Sequence, residues 1–307
     1  MKTRVDQRSD VTGIVITFDP HLHSLKRLIE AIVPQVGNLL IIDNGSTADV
    51  KVWLTEHYPD VDIRQLGENY GIARAQNVGI DCARAYHAKY VLLLDQDSLP
   101  AEDMVAVLLS AAERQVSGGT RLASVGPRYE DPRQKNPPPF IKVTGLRLER
   151  QTCAAADSVV EVDYLIASGC LIPMSTLDRI GGMQEELFID YVDIEWGLRA
   201  QQGGYQSYGV CAARMQHDLG DNPKLFRGRY IPVHSPLRHY YHFRNAVWLY
   251  RQPWLRLNWK IVDAVRLVRK FVFYSLMTAP RARHASMMAL GILHGLTGKM
   301  GKKTGNG

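Results

Sequence analysis

The feature that most constrains this chain is a change of hydrophobic rhythm repeated along its first 130 residues. Short β-branched or leucine-rich runs occur at Val11–Phe18, Leu39–Ile42, Val61–Leu66, Tyr90–Leu94 and Leu122–Val125. Helix-length segments separate them, near Ser24–Val33, Thr47–His57, Ile72–His87 and Ala101–Arg114. Strands that alternate with helices and read as nearly continuous apolar runs are buried on both faces, which predicts an α/β fold with a mostly parallel central sheet flanked by helices. Ligands of such sheets sit beyond the carboxyl ends of the strands. The polar residues to examine are therefore Asp19, Asp43–Ser46, Gly67–Gly71 and Asp95–Ser98.

Composition narrows the class further. With 46% apolar and 22% charged residues among 307, disordered, collagen-like and coiled-coil chains are excluded. Cys82, Cys153, Cys170 and Cys211 lie far apart with no paired spacing, so neither a disulfide scaffold nor a zinc ribbon is expected. The first ten residues are polar, and no apolar run reaches the roughly 20 residues that span a bilayer. These features predict a soluble, cytoplasmic protein. Charge is uneven: from Arg251 onward there are 11 Lys and Arg against one acid, Asp263, whereas the preceding residues hold 26 basic and 30 acidic side chains. A mildly acidic body with a basic tail is not the even basic stripe of a nucleic-acid binder, so no nucleic-acid partner is expected. It suits an enzyme body whose tail meets anionic lipid or an anionic ligand.

Tyr129 to Pro139 is charged and proline-rich and reads as a surface loop. Val159–Ala167 reads as a strand, Ser175–Ile180 as a short helix ended by Gly181-Gly182, and Asp190–Gln202 as a helix ended by Gly203-Gly204. After Pro253 the pattern is helical and basic through Trp254–Met277 and Arg283–Leu296, and the residues from Gly298 on are expected to fray.

Asp95-Gln96-Asp97 directly follows the fourth apolar run. Two carboxylates at the end of a buried strand lose solvation and repel each other unless donors or a cation compensate. A Mg²⁺ or Mn²⁺ ion compensates well and completes its shell with substrate phosphates. The competing structural reading is a helix cap, with Asp97 or Ser98 preceding Pro100. Asp43-Asn44-Gly45-Ser46 is either a plain strand-to-helix turn or the place where a carboxylate meets a base or ribose. Asn69-Tyr70-Gly71, Arg74 and Asn77 open a helix whose first turns either face solvent or present N–H groups and a guanidinium to a diphosphate. Asp190, Asp193 and Glu195, with Glu186 just upstream, lie among aromatic and aliphatic residues; they are either helix-start charge, with Arg199 pairing to Glu195, or include a general base of raised pKa. His217 ends the apolar run Tyr208–Met215. His234, Arg238, His239, Tyr240, Tyr241, Arg244 and Asn245 form a dense cluster, either an amphipathic helix start or a cationic lid over phosphates.

In chain order, these motifs resemble the family 2 inverting glycosyltransferases, most closely their bacterial rhamnosyltransferase branch. The matching pieces are Ile14-Val15-Ile16-Thr17-Phe18, Asp43-Asn44-Gly45-Ser46, Asn69-Tyr70-Gly71-Ile72-Ala73 with Asn77-Val78-Gly79-Ile80, and Asp95-Gln96-Asp97. They continue through Ser168-Gly169-Cys170, Ile180-Gly181-Gly182-Met183, Phe188 to Trp196, Arg199, His217 and the Arg238–Asn245 cluster. The resemblance implies a GT-A nucleotide-diphospho-sugar transferase domain over residues 1–252, with a donor half at about 11–130 and an acceptor half at about 155–250. Residues 253–307 would be a helical basic extension. It implies Thr17, Asp43, Asn69, Gly71, Arg74, Asn77, Asp95 and Arg244 at the donor, and Asp97, Asp95 and His217 around a Mg²⁺ or Mn²⁺ ion. Asp193 matches the general base. Many relatives carry Glu immediately before that Asp, where this chain has Val192, so Asp190 and Glu195 remain rivals.

The implied reaction is transfer of L-rhamnose from dTDP-L-rhamnose to a glycan or glycolipid acceptor, with inversion, in O-antigen or other cell-surface polysaccharide synthesis. Another nucleotide-hexose donor is the first alternative. A nucleotidyltransferase or nucleotide-binding regulator is disfavoured because Thr17-Phe18-Asp19-Pro20 stands where a glycine- and lysine-rich loop is expected, and no Gly-x-Gly-x-x-Gly marks a dehydrogenase. A lipid-linked acceptor places the enzyme on the cytoplasmic face of the inner membrane. The basic, aromatic tail then either meets lipid or packs on the catalytic body.

Overall fold

The computed structural model describes residues 10–130, 140–217, 224–226, 229–231 and 234–304. The opening rhythm becomes β1 (Val11–Thr17), α1 (Leu22–Ile32), β2 (Asn38–Asp43), α2 (Val50–His57), β3 (Asp62–Gln65), α3 (Ile72–Ala85) and β4 (Tyr90–Asp95). All seven residues of β1 are buried, as expected for a strand covered on both faces. The strands β3, β2, β1 and β4 are neighbours in that order, and every pairing among them is parallel. Helices pack closely on this sheet: a Cβ at Gly79 of α3 would lie 2.4 Å from Ile14 Cγ2.

Beyond β4 the chain departs from simple alternation. Ser98–Pro100 is a short strand, β5, rather than the first turn of a helix. The helix α4 (Met104–Ser117) starts later, and its N-cap residue, Asp103, makes no side-chain cap bond. The helix-cap reading of Asp97 and Ser98 is therefore overturned: Asp97 lies in the turn between two strands. Then follow β6 (Leu122–Glu130), a hairpin of β7 (Phe140–Thr144) and β8 (Arg147–Gln151), β9 (Val159–Val162), β10 (Cys170–Pro173), α5 (Met174–Ile180), α6 (Val192–Gln202) and β11 (Gln206–His217). β10 runs antiparallel between β4 and β6, while β11 pairs parallel with β6 and antiparallel with β5 and β9. The result is a nine-stranded mixed sheet with a parallel half and a mixed half. Residues 131–139 of the expected surface loop lie outside the described residues.

Cys153 and Cys211 are joined in a disulfide with Cα atoms 5.7 Å apart, tying the segment after β8 to β11. One such bond is not a disulfide scaffold, but the pairing itself is not expected from the spacing of the cysteines. A separation of 58 residues carries no local spacing signal, and proximity arises only once the mixed half of the sheet forms. Cys82 and Cys170 are free thiols.

A short hairpin of β12 (Lys224–Phe226) and β13 (Arg229–Ile231) leads to three helices, α7 (Pro236–Tyr250), α8 (Leu257–Met277) and α9 (Arg281–Thr297). α9 lies against α7 at backbone distance: a Cβ at Gly291 would meet the Tyr240 carbonyl oxygen, and one at Gly295 the Arg244 carbonyl oxygen, each at 2.5 Å. The aromatic face of α8, with Trp259, Leu267 and Tyr274, is buried in a cluster with Phe243 and Leu249 of α7. Residues 299–304 do not fray, against expectation, and residues 305–307 lie outside the described residues. The Gly301 N–H donates to the Glu186 carbonyl at 2.8 Å, the Lys303 N–H donates to Tyr241 Oη at 2.8 Å, and Lys302 Nζ lies 3.5 Å from Glu68. Among the described residues no helix is long and apolar enough to cross a membrane.

Candidate active site

Register places the acidic residues. Thr17 is paired with Asp43 across β1 and β2, and Ile16 with Asp95 across β1 and β4. Asp43 and Asp95 therefore flank one strand end, about 10 Å apart at the usual strand spacing. Asp43 is 2% exposed. It accepts hydrogen bonds from Thr17 Oγ1 at 3.0 Å, from the Ser46 N–H at 3.3 Å, and from the Ser46 hydroxyl. Asp19 sits beside it with φ 46°, accepting from the Thr47 N–H and hydroxyl at 2.7 and 2.8 Å, bonds that hold its carboxyl below the ordinary value.

Gln96, a residue the motif reading left without a role, clamps this edge. The Phe18 N–H donates to Gln96 Oε1 at 2.8 Å and Gln96 Nε2 donates to the Phe18 carbonyl at 3.2 Å. The turn bearing Asp95 and Asp97 is thus pinned to the end of β1. From the other side Ser168 supports it, accepting from the Asp95 N–H at 3.3 Å and bonding the Ser98 hydroxyl, while its carbonyl accepts from Tyr129 Oη at 3.0 Å. Asp97 is exposed and Asp95 half-buried. His217, the last residue of β11, is in register with Ser98, one residue past Asp97. Carboxylate oxygens at a strand end suit a hard divalent cation that keeps water or phosphate in its shell. Among the described residues no three His, Cys, Asp or Glu side chains are grouped so as to hold a metal ion.

The third acidic element is the start of α6. Three of the four residues from Phe188 to Tyr191 have positive φ: Phe188, Asp190 and Tyr191, at 65°, 62° and 64°. Conformations of this kind cost of order 1–3 kcal/mol each and persist only when surroundings enforce them. The enforcement is visible. Asn245 Nδ2 donates to the carbonyls of Leu187, Ile189 and Asp190 at 2.7–2.9 Å, and Arg244 donates to those of Glu186 and Leu187 at 3.1 and 2.9 Å and to that of Gly301. Tyr191 Oη donates to Asp263 Oδ2 of α8 at 2.7 Å, as does Tyr250 Oη. The Phe188 and Tyr241 rings stack with centroids 5.0 Å apart. Against α3, the Ile72 N–H donates to the Phe188 carbonyl at 2.7 Å, an approach that a Cβ at Gly71 would block at 2.5 Å.

This scaffold delivers Asp193 to a narrow cavity lined by Leu93, Leu165, Cys170 and Trp196. Burial pushes its pKa up to about 6, with the charges of Asp190 and Asp95 adding to the rise. A carboxylate so tuned is ionised at neutral pH yet basic enough to take a proton. Its rivals are otherwise engaged. Glu195 is 2% exposed and forms a two-pronged pair with Arg199 at 2.7 and 3.0 Å, while Arg199 also donates to the Ile180 and Gly182 carbonyls at 2.5 and 2.7 Å. Glu195 is therefore a structural anchor and not a rival base. Asp190 faces Arg238 Nε at 3.4 Å.

A family model, Glycosyl transferase family 2, matches residues 13–164. The dTDP-rhamnosyl transferase RfbF of Shigella flexneri is 31% identical over 84% of this chain and 85% of its own. The chain belongs to glycosyl transferase family 2. A second relative, the N-acetylglucosaminyl-diphospho-decaprenol L-rhamnosyltransferase of Mycobacterium tuberculosis, is 22% identical over 91% of this chain and 97% of its own. The GT-A-like fold is shared with a solved structure of S. aureus TarS residues 1–349, at TM-score 0.56 and 14% identity over 94% of this chain and 82% of that one. GalNAc-T7, solved with UDP, GalNAc and Mn²⁺, aligns at TM-score 0.60 and 11% identity over 94% of this chain, which spans 56% of that longer protein.

Within this family 2 chain the residues expected at the donor divide into two groups. Thr17, Asp43 and Asp95 line one strand edge, and Arg74 is exposed on α3, its guanidinium 4.7 Å from the Tyr70 ring centroid and 3.9 Å from Glu185. Asn69 and Gly71 shape the loop: Asn69 Oδ1 accepts from Asn44 Nδ2 at 3.2 Å and from the Gly71 N–H at 2.9 Å. Asn77 is spent on Met183, exchanging hydrogen bonds of 2.9 and 2.7 Å with its backbone. Arg244 is fully buried, with its guanidinium bound to backbone carbonyls, so its expected place at the donor is corrected to that of a clamp. Within the Arg238–Asn245 cluster the buried Arg244 and Asn245 hold the strained loop, while Arg238 stays partly exposed beside Asp190.

Proposed function

We propose that this glycosyltransferase moves L-rhamnose from dTDP-L-rhamnose to a hydroxyl of a lipid-linked saccharide, inverting the anomeric centre, in polysaccharide synthesis. The observation that carries the catalytic part is Asp193, raised to about 6 beside the strand edge that presents Asp43, Asp95 and Asp97. Asp193 takes the proton of the acceptor hydroxyl as its oxygen attacks the anomeric carbon and the nucleoside diphosphate leaves from the opposite face. Asp43 and Thr17 receive the base and ribose, and Arg74 the diphosphate. Asp97 and Asp95, with His217, would hold a Mg²⁺ or Mn²⁺ ion, which when bound neutralises charge on the leaving diphosphate.

The rhamnose donor is supported by the two relatives named for rhamnosyl transfer, and the lipid-linked acceptor by the mycobacterial relative named for a diphospho-decaprenol substrate. A different nucleotide-hexose donor keeps a place because the galactofuranosyltransferase GlfT1 of Mycolicibacterium smegmatis is 25% identical over 82% of this chain. The test is a panel of sugar nucleotides, scored by thermal shift and by sugar release with and without Mg²⁺ or Mn²⁺. The reading expects stabilisation by dTDP species that depends on metal and is lost in Asp97→Asn. Stabilisation by no nucleoside diphosphate under any metal condition would contradict it.

A further inference from the structure

The basic helix α8 divides its two faces between two environments. Its inward face carries Trp259, Val262, Leu267 and Tyr274, each buried against the catalytic body. Its outward face carries Leu257, Ile261, Val265, Val268, Val272 and Leu276, which are between 42% and 71% exposed. On a helix of 3.6 residues per turn these six fall within about 100° of arc and form a continuous aliphatic stripe about 28 Å long. Single exposed aliphatics are ordinary on a protein surface, but a stripe of this length is the signature of a contact surface.

The charges say what covers it. The one acid beyond residue 250, Asp263, points inward, 6% exposed, where Tyr191, Tyr250 and Arg266 bind it at 2.7, 2.7 and 3.3 Å. Every exposed charge on α8 and α9 is therefore cationic: Arg269 on α8, and Arg281 and Arg283 at the start of α9, whereas Arg256, immediately before α8, is paired with Asp163 at 3.1 Å. Arg269 and the half-buried Lys260 fall on the two sides of the stripe in helical projection. A second protein copy offering the same face would set cation against cation, whereas an aliphatic stripe with a cationic rim complements anionic headgroups over acyl chains.

We infer that the outward face of α8 is a lipid-docking surface, lying in the headgroup region of an anionic membrane with the stripe turned toward the acyl chains. The inference concerns where the enzyme sits and does not depend on which sugar it transfers. It also has a mechanical consequence: Asp263 and Tyr191 join the docked helix directly to the loop that carries Asp193, so docking seats the base at the membrane surface.

The experiment is flotation of the full chain with vesicles of phosphatidylglycerol and phosphatidylethanolamine, alongside sugar transfer to a short-chain, water-soluble acceptor. Wild-type protein is expected to float at low salt and to bind more weakly as salt rises. The exposed pair V268E/V272E is expected to lose at least tenfold in vesicle binding, and Arg269→Gln about fivefold, both with transfer to the soluble acceptor unchanged. Wild-type protein that fails to float at low salt, or a V268E/V272E variant that floats like wild type, would overturn the inference. So would a dimer in sedimentation that V268E/V272E breaks while no form binds vesicles. Vesicle binding by a protein that transfers no sugar would uphold the docking surface and sink the proposed reaction instead.

Discussion

The donor edge and the base-bearing loop solve the same problem, holding carboxylates in place, by different means. At the donor edge the partners of Asp43 and Asp19 come from consecutive strand-to-helix turns: Thr17 to Asp43 and Asp19 to Thr47 are separations of 26 and 28 residues, and Ser46 caps Asp43 from three residues away. At the loop before α6 the partners are remote, with Asn245 and Arg244 55–58 residues on and Asp263 72 residues from Tyr191. Parallel α/β architecture brings successive strand ends side by side, so neighbouring turns suffice to hold Asp43, while the Asp95–Asp97 turn also draws on Ser168, 73 residues from Asp95. The loop adopts three left-handed residues that nothing local favours, so a whole helical layer is needed to enforce it. The basic C-terminal region is thereby part of the catalytic apparatus in a mechanical sense.

Removing the base should have the largest effect. Asp193→Asn is expected to lower kcat by at least ~10² with donor affinity little changed, while Glu195→Gln loses stability more than chemistry. The same Asp193→Asn variant should be more stable at neutral pH. Asp193 has a folded pKa of about 6 against an ordinary 3.8, so the folded protein holds that proton more tightly. Its stabilising contribution is complete below about pH 4 and lost as pH rises through 6. Relief of that penalty, on the order of 1–2 kcal/mol after allowance for partial exposure, should raise Tm at pH 7.5 and leave it unchanged near pH 4. A variant that gains stability equally at both pH values would separate Asp193 from the raised pKa.

The difference between the two regions also decides what a sequence can show. The parallel strands, their order of appearance, α3, α5 and α6 follow from apolar rhythm and glycine stops, because the forces that set them act within one strand-helix unit. The Asp43 and Asp95 positions are legible for the same reason, each being the first polar residue after a buried run, and Asp97 follows Asp95 by two residues. Ser98–Pro100 misleads, because a residue pattern fit for a helix start becomes a strand once β11, more than a hundred residues on, offers a partner. Arg244 misleads in the same way. A guanidinium beside aromatics reads as a phosphate ligand until the carbonyls of residues 186, 187 and 301 arrive to saturate it. Cys153 and Cys211 show no pairing in sequence because only the mixed half of the sheet brings them together.

Two smaller effects probe the remote clamp. Asn245→Leu keeps the volume and strips three carbonyls of a buried donor; at about 1–3 kcal/mol for an unsatisfied buried group, a loss of roughly 3 kcal/mol is expected in urea unfolding. Because the clamp sets the loop, kcat should fall with it, whereas Ser46→Ala at the donor edge should raise KM and spare kcat. Gly291→Ala pushes a methyl into the Tyr240 carbonyl and should cost about 1–3 kcal/mol by overpacking, separating α9 from α7. If Gly291→Ala lowers stability and leaves activity intact at a temperature where the protein remains folded, α9 acts as a brace and α7 alone sets the loop.

The central claim is that a strained, remotely clamped loop presents a carboxylate tuned to act as base. The most direct measurement is the pH dependence of kcat/KM for sugar transfer in the wild-type enzyme and in Asp193→Asn. The account predicts an acid limb with an apparent pKa of about 6 in the wild type, matching the value to which burial pushes Asp193, and its disappearance together with most of the rate in the variant. An Asp193→Asn enzyme that keeps both the rate and the limb would contradict the account and move the base to Asp190.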